Sequence, residues 1–436
     1  MQDTHYLQQL MKQQKSGIPS GICSVCSSSP FVIDAAILQA VKTGTPVLIE
    51  ATANQVNQFG GYTGMKPADF RDHVLSRASE LGLPADRVIL GGDHLGPVAW
   101  QKQDAAEAMD LAETLAYEFA KAGFTKIHLD ASMPLGSEVT LSTEEIADRT
   151  VRLCKASERG FAEYRESCGA AFTVPPVYVI GSEVPTPGGS GEEDALSVTK
   201  PEALKEMLAC FEEKFTAAGL ADGTVSPWSR IIAAVVQPGV EFGNDNVHEY
   251  VPEEATLLTE EAAEIPGIVL EGHSTDYQRE SSLKKMVGDG IAILKVGPAL
   301  TFAAREALYA LAAMERELCD APSGFIEVLD QVMREDPSSW QGHYTAEEPE
   351  STLLRKYSYS DRSRYYMHRP EVKAAIEKLI TNLSGNRIPL PLLSQYMPQQ
   401  FIHVREGKLE AEPEQLILDR VRDTLSQYWR ACGQEV

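Results

Sequence analysis

The sequence predicts an α/β fold, a parallel (β/α)8 TIM barrel over residues 17–300 with a C-terminal helical extension over residues 301–436. Three observations carry this reading. Short apolar runs of β-type recur eight times. They are continuous and do not alternate with polar residues, as strands buried on both faces require. Most are followed by a stretch of helical pattern, and strand–helix alternation repeated eight times closes more naturally into a barrel than into an open sheet. A doubly wound sheet is the alternative.

The runs occupy residues 21–26, 47–51, 87–93, 126–130, 177–183, 231–237, 268–273 and 290–296. Residues 104–112 and 202–215 show the helical pattern of the connections. Residues 189–194, Gly-Ser-Gly-Glu-Glu-Asp, read as a polar loop after the fifth run. From residue 299 to 318 the chain is rich in Ala, Leu and Glu and reads as a helix. Beyond Pro322 the pattern stays helical, punctuated by Pro389, Pro391 and Pro398, and residues 416–429 form a last amphipathic helix.

Composition narrows the function. With 39 Lys+Arg against 63 Asp+Glu the formal net charge is -24, which repels phosphate backbones and anionic lipid and predicts neither nucleic-acid nor membrane partners. Seven cysteines without a short disulfide framework, a polar N-terminal stretch and no apolar run of spanning length predict a cytoplasmic protein.

The ends of the runs carry the chemistry. They finish at or near Glu50, at Asp93-His94, at Asp130, Glu183, Gln237, at Glu271 and His273, and near Lys295. In barrels the reactive groups stand at the C-terminal ends of the strands, so these residues are expected in one active site. Two histidines, His94 and His273, with the acids Asp130 and Glu183 and the amide Gln237, can hold a divalent cation; zinc, manganese, iron, nickel and cobalt all suit such donors. His128 lies two residues before Asp130 on the same strand face and reads equally as a hydrogen-bonded core histidine or as a ligand. Lys295, flanked by apolar residues, pairs with a carboxylate such as Glu50 or Glu271, or acts as a Schiff-base lysine; the histidines favour the metal site. The glycines of Gly91-Gly92-Asp93-His94 allow a close backbone approach. Cys23-Ser24-Val25-Cys26 lacks a second pair and reads as buried thiols. The stretch from Asn54 and Gln55 to Gly64 matches neither nucleotide fingerprint, and its amides suit a sugar-binding loop or a polar turn.

At these motifs the chain resembles the Z-subunit family of D-tagatose-1,6-bisphosphate aldolase. The segments are Glu50-Ala51-Thr52 through Gly64, Gly91 to Pro97, His128-Leu129-Asp130-Ala131-Ser132, Val236-Gln237-Pro238-Gly239-Val240-Glu241-Phe242, His273-Ser274-Thr275-Asp276-Tyr277 and Lys295-Val296-Gly297-Pro298-Ala299-Leu300. The resemblance implies a barrel with C-terminal helices. It also implies either an accessory subunit that stabilises a class II aldolase catalytic subunit or a sugar C4-epimerase acting on ketohexoses such as tagatose and fructose. The wider similarity to class II aldolases implies Asp93 as acid/base, His94 and His273 as ligands, and Asp130 and Glu183 as further site acids. Gln237 stands where those aldolases have a histidine, and Gly297-Pro298 lacks their phosphate-holding pattern. The expectation is therefore a ketohexose C4-epimerase. Asp93, Glu183 and Asp130 are its catalytic acids, and a divalent metal sits on His94, Gln237 and His273. Glu50, Asn54, Gln55, Ser132, Ser274 and Lys295 contact the substrate.

Overall fold

The computed structural model describes residues 4–168, 174–182, 196–385 and 388–434. Eight strands form its closed, all-parallel barrel: β1 (Ile22–Cys26), β2 (Val47–Thr52), β3 (Val88–Leu95), β4 (Lys126–Leu129), β5 (Val177–Ile180), β6 (Ile231–Val236), β7 (Val269–Gly272) and β8 (Ile291–Val296). Each pairs with the next, and β8 closes on β1 from Ile22↔Ile293 to Val25↔Val296. The loop after β6 carries a small antiparallel ribbon, Glu241–Phe242 with Val247–His248.

Strand parity sorts most of the barrel side chains into two compartments, with register shifts in β5 and β8. Cys23, Ile49, Leu90, Ile127, Tyr178, Leu270 and Leu294 face outward into the main core under the helices. Ile22, Leu48, Ile89, Val177, Val269 and Ile293 face inward and form a separate cluster at the N-terminal end of the barrel. Helix Tyr6–Lys15, outside the 17–300 span, completes that cluster with Leu7, Leu10 and Met11. His5 starts the helix: its Nδ1 accepts from the Leu7 N–H at 3.1 Å, and its Nε2 lies 3.1 Å from Thr125 Oγ1.

Two residues further along the strands the inward positions turn ionic. Glu50, Gly91 and Lys126 share one register level across β2, β3 and β4. A Cβ on Gly91 would lie 2.6 Å from Glu50 Cγ, so the missing side chain is what lets Glu50 reach across β3. Lys126 Nζ stands 2.8 Å from Glu50 Oε1 and 2.8 Å from Glu271 Oε2, and Lys295 also pairs with Glu50. All four side chains are buried. Removing one partner of such a pair leaves an uncompensated charge, at a cost of about 3–5 kcal/mol.

The extension is stitched to the barrel and does not hang from it. Helix Pro298–Leu318 runs across residue 300. The final helix, Pro413–Ala431, buries Leu416, Ile417, Val421, Leu425, Tyr428 and Trp429 on one face. It packs on β1 and on helices Pro30–Thr43, Glu280–Gly288 and Pro298–Leu318, so it joins the ring of barrel helices. Tyr428 Oη donates to Thr275 O at 2.7 Å, and Trp429 Nε1 to Thr45 Oγ1 at 3.1 Å. Nearer the mouth, Asp361 accepts from Thr301 Oγ1 (2.5 Å) and Arg305 Nε (2.8 Å). Among the described residues no helix is long and apolar enough to cross a membrane.

Candidate active site and metal centre

The next inward level above the ions, at the C-terminal ends of β3, β4 and β7, holds three histidines. The ring centroids of His94, His128 and His273 form a near-equilateral triangle of 5.0, 4.9 and 5.2 Å. His128 and His273 arrive there by strand parity, two residues beyond Lys126 and Glu271. His94 arrives by a left-handed backbone (φ 48°), which a non-glycine residue adopts only at a cost of about 1–3 kcal/mol. Ser274, next to His273, has the same strain (φ 52°).

Each ring is tied through one nitrogen to its own buried carboxylate. Asp130 Oδ2 accepts from His94 Nδ1 at 2.8 Å, and Glu271 Oε1 accepts from His273 Nε2 at 3.0 Å. His128 Nδ1 lies 3.0 Å from Asp93 Oδ1. The His94 backbone N–H also donates to His128 Nδ1 at 3.2 Å, and the buried Nε2 of His128 has no hydrogen-bond partner among the described residues. Histidines held this way by carboxylates are oriented as metal ligands are. One donor atom from each of Asp93, His94, His128 and His273 lies within 4.8 Å of all the others. An orphaned imidazole nitrogen, two further oriented rings and a carboxylate fit a divalent cation with imidazole–carboxylate preference.

Charge is arranged to match. Burial alone would raise the Asp93 carboxyl, but His94 and Lys295 outweigh it and hold it well below the usual range. Lys295 Nζ stands 2.7 Å from Asp93 Oδ1, and Cys26 Sγ donates to Asp93 Oδ2 at 3.3 Å. Burial opposes the charge on Lys295, yet Asp93 and Glu50 raise its pKa well above the ordinary value. A lysine so firmly protonated is a poor Schiff-base nucleophile. Burial also disfavours Asp130 as an anion, but the His94 hydrogen bond brings its carboxyl down to about 2. Burial drops His273 to about 4 against the pull of Glu271, leaving it neutral and able to ligate.

A cavity of about 740 Å³ opens above this level, large enough for a small sugar. Asp93, His94, His273, Lys295, Thr52, Asn54, Gln55 and Ser274 line its barrel side. The extension supplies the opposite wall with Arg364, Tyr365 and His368. Tyr62, from the loop after β2, meets Tyr365 edge-on at 5.1 Å and His368 at 5.7 Å. The segment that the sequence assigned to an extension thus lines the site.

The structure brings together most of the residues named from the sequence, in altered positions. Asn54, Gln55, Ser274 and Lys295 line the cavity. Glu50 lies one level below it, in the ionic layer. Asp130 orients His94, and Ser132 is occupied with Asp130, donating from Oγ at 2.7 Å and from its backbone N–H at 3.1 Å. Gln237 uses its Oε1 to accept from the N–H groups of Gly239 (2.8 Å) and Val240 (3.0 Å) in its own loop. His128 stands in the cluster with Asp93, His94 and His273. Glu183 and the polar loop 189–194 lie outside the described residues. Cys26, read from the sequence as one of a pair of buried thiols, faces Asp93, whereas Cys23 faces the outer core. Lys126, Asp276 and Arg364 were not singled out. For Lys126 the signal was available: it precedes His128 by two residues and shares its face.

The chain matches the family model described as D-tagatose-1,6-bisphosphate aldolase subunit GatZ/KbaZ-like over residues 7–433. It is similar to a Sinorhizobium meliloti 1021 protein described as a probable tagatose 6 phosphate kinase, at 43% identity over 94% of this chain and all of that one, with a TM-score of 0.85. More remote likenesses are to fructose-bisphosphate aldolase from Campylobacter jejuni (16% identity, 86% and 91% covered, TM-score 0.43) and to the YdjI aldolase from Escherichia coli K12 (15%, 88% and 98%, 0.39). These two are too distant to assign a residue or a reaction. The chain belongs to the GatZ/KbaZ-like family of tagatose-bisphosphate aldolase subunits, which places it in carbohydrate metabolism.

Proposed function

We propose that this chain is a metal-dependent ketohexose C4-epimerase that interconverts D-tagatose and D-fructose by retro-aldol and aldol steps at C3–C4. The observation that carries the reading is the triangle of His94, His128 and His273, each ring held by a buried carboxylate, beside an ionised Asp93 in a sugar-sized cavity. His94, His128 and His273 would hold a divalent cation, which would supply Lewis-acid stabilisation of negative charge developing on the sugar oxygens.

Asp93 takes the C4 hydroxyl proton. The C3–C4 bond then breaks, its electron pair passes into the C2 carbonyl, and C4 becomes an aldehyde. Lys295 sits against Asp93 and keeps it anionic until that proton arrives. The aldehyde fragment turns its other face, the bond reforms, and Asp93 returns the proton to the C4 oxygen. Tyr62, Tyr365 and His368 close the mouth and retain the fragment, which separates epimerisation from cleavage. Asn54, Gln55 and Ser274 are placed to hold sugar hydroxyls.

The second reading, an accessory subunit of a class II aldolase, is favoured by the family description itself. Purified protein incubated alone with D-fructose or D-tagatose and zinc, manganese, nickel, cobalt or iron separates the two. Conversion that stops on chelation is expected. No conversion under any metal, together with increased activity of a class II aldolase mixed with the chain, hands the function to the accessory reading.

A further inference from the structure

The loops after β7 and β8 are where barrel enzymes often seat a phosphate, on the free N–H groups that begin a helix. Here those groups are already taken. Asp276, on the loop after β7, is 3% exposed. Its Oδ1 accepts from the N–H of Gly297 at 3.0 Å and of Ala299 at 2.8 Å, at the start of helix Pro298–Leu318. Pro298 between them has no N–H to offer. The Asp276 loop is fixed from both sides: Thr275 Oγ1 donates to Lys295 O at 2.6 Å, and Thr275 O accepts from Tyr428 Oη at 2.7 Å. The seat is part of the reaction cavity, since Ser274, Asp276, Gly297, Pro298 and Thr301 all line it.

We infer that Asp276 is a specificity-determining residue that makes the helix start beside the cavity refuse a phosphorylated sugar end, because its carboxylate holds the backbone donors and places a negative charge where a phosphate would sit. At this helix start a dianion meets the like charge of Asp276 and finds the N–H groups of Gly297 and Ala299 already taken, although Arg364 lines the same cavity. Burial raises the Asp276 carboxyl to about 6, so it remains charged at neutral pH. The inference rests on the sugar-enzyme reading for its biological sense, but phosphate binding can be measured without turnover.

The test is titration of wild type, Asp276→Gly and Asp276→Asn with inorganic phosphate, followed by calorimetry and phosphorus NMR at a pH well above 6. Asp276→Gly should bind phosphate roughly tenfold or more tightly than wild type. Asp276→Asn, which keeps the shape and removes the charge, should fall between them. In turnover, KM for a 1-phosphorylated ketohexose should fall in the variants relative to KM for the free sugar. If Asp276→Gly does not fold, the near-isosteric Asn variant decides. Wild type binding phosphate as tightly as the folded variants overturns the inference. A gain in phosphate binding without any sugar conversion by wild type leaves the inference standing and removes the epimerase reading instead.

Discussion

The two ends of this barrel use the same strands and the same inward parity, yet they are filled in opposite ways. At the N-terminal end helix Tyr6–Lys15 caps a dry plug in which Leu7, Leu10 and Met11 meet Ile22, Leu48, Ile89 and Val177. Two inward positions further on, Glu50, Lys126, Glu271 and Lys295 neutralise one another, and above them stand Asp93 and the three histidines. The plug stabilises by burying apolar area, at about 25 cal/mol per Å². The other end holds desolvated charges whose worth depends on partners being present. Closure is what separates the ends: one is sealed by apolar contact, the other roofed by Tyr62, Tyr365 and His368 around a cavity. The lesson is that stability and chemistry are separated by depth along the strands, not by domain.

The comparison breaks most visibly at Asp93. Asp93→Asn keeps the shape but cannot carry the C4 proton, so the rate of ketohexose conversion should fall about 10²–10⁴-fold, with a lowered Tm because Lys295 loses one of its charge partners. A variant that unfolds without losing specific activity would place the residue on the structural side of the divide. Leu7→Ala tests the other end. Leu7 is fully buried in the plug, and its truncation should cost about 2–5 kcal/mol in denaturant unfolding while kcat and metal content stay at wild-type values. Loss of metal in that variant would show that the two ends are coupled.

The smallest effect sharpens the contrast through pH. Burial lowers the His5 pKa from 6.5 to about 4. Below pH 6.5 the unfolded chain binds this proton and the folded chain does not, so stability falls as pH drops from 6.5 towards 4. The loss from this group is about 2 kcal/mol at pH 5. His5→Asn should flatten that part of the stability–pH curve, read by thermal unfolding between pH 5 and 7, without moving the pH profile of catalysis. An unchanged curve would mean that His5 is not held neutral in the plug.

Much of this was legible in the sequence, and the omissions share a cause. All eight strands lie at or within two residues of the apolar runs, because burial on both faces leaves a local signature. The strand-end residues Asp93, His94 and His273 were legible for the same reason: polar groups closing apolar runs are conspicuous. His128 was left open because parity says which face a side chain takes but not how deep it lies; depth follows from the stagger of neighbouring strands. Gln237 closes a run as the histidines do, yet it turns into its own loop, and no local pattern distinguishes the two outcomes. Lys126 looked like an ordinary strand start because its partners, Glu50 and Glu271, come from other strands.

The sequence by itself determined the barrel and the helical C-terminus, since periodicity and apolar content act over a few neighbouring residues. Only the tertiary structure decided that Glu50, Gly91 and Lys126 share a level, that His128 completes the triangle, that Asp276 fills a helix start twenty-one residues away and that the extension roofs the site. Those outcomes depend on closure, register and long-range packing, which bring together residues that no local window contains.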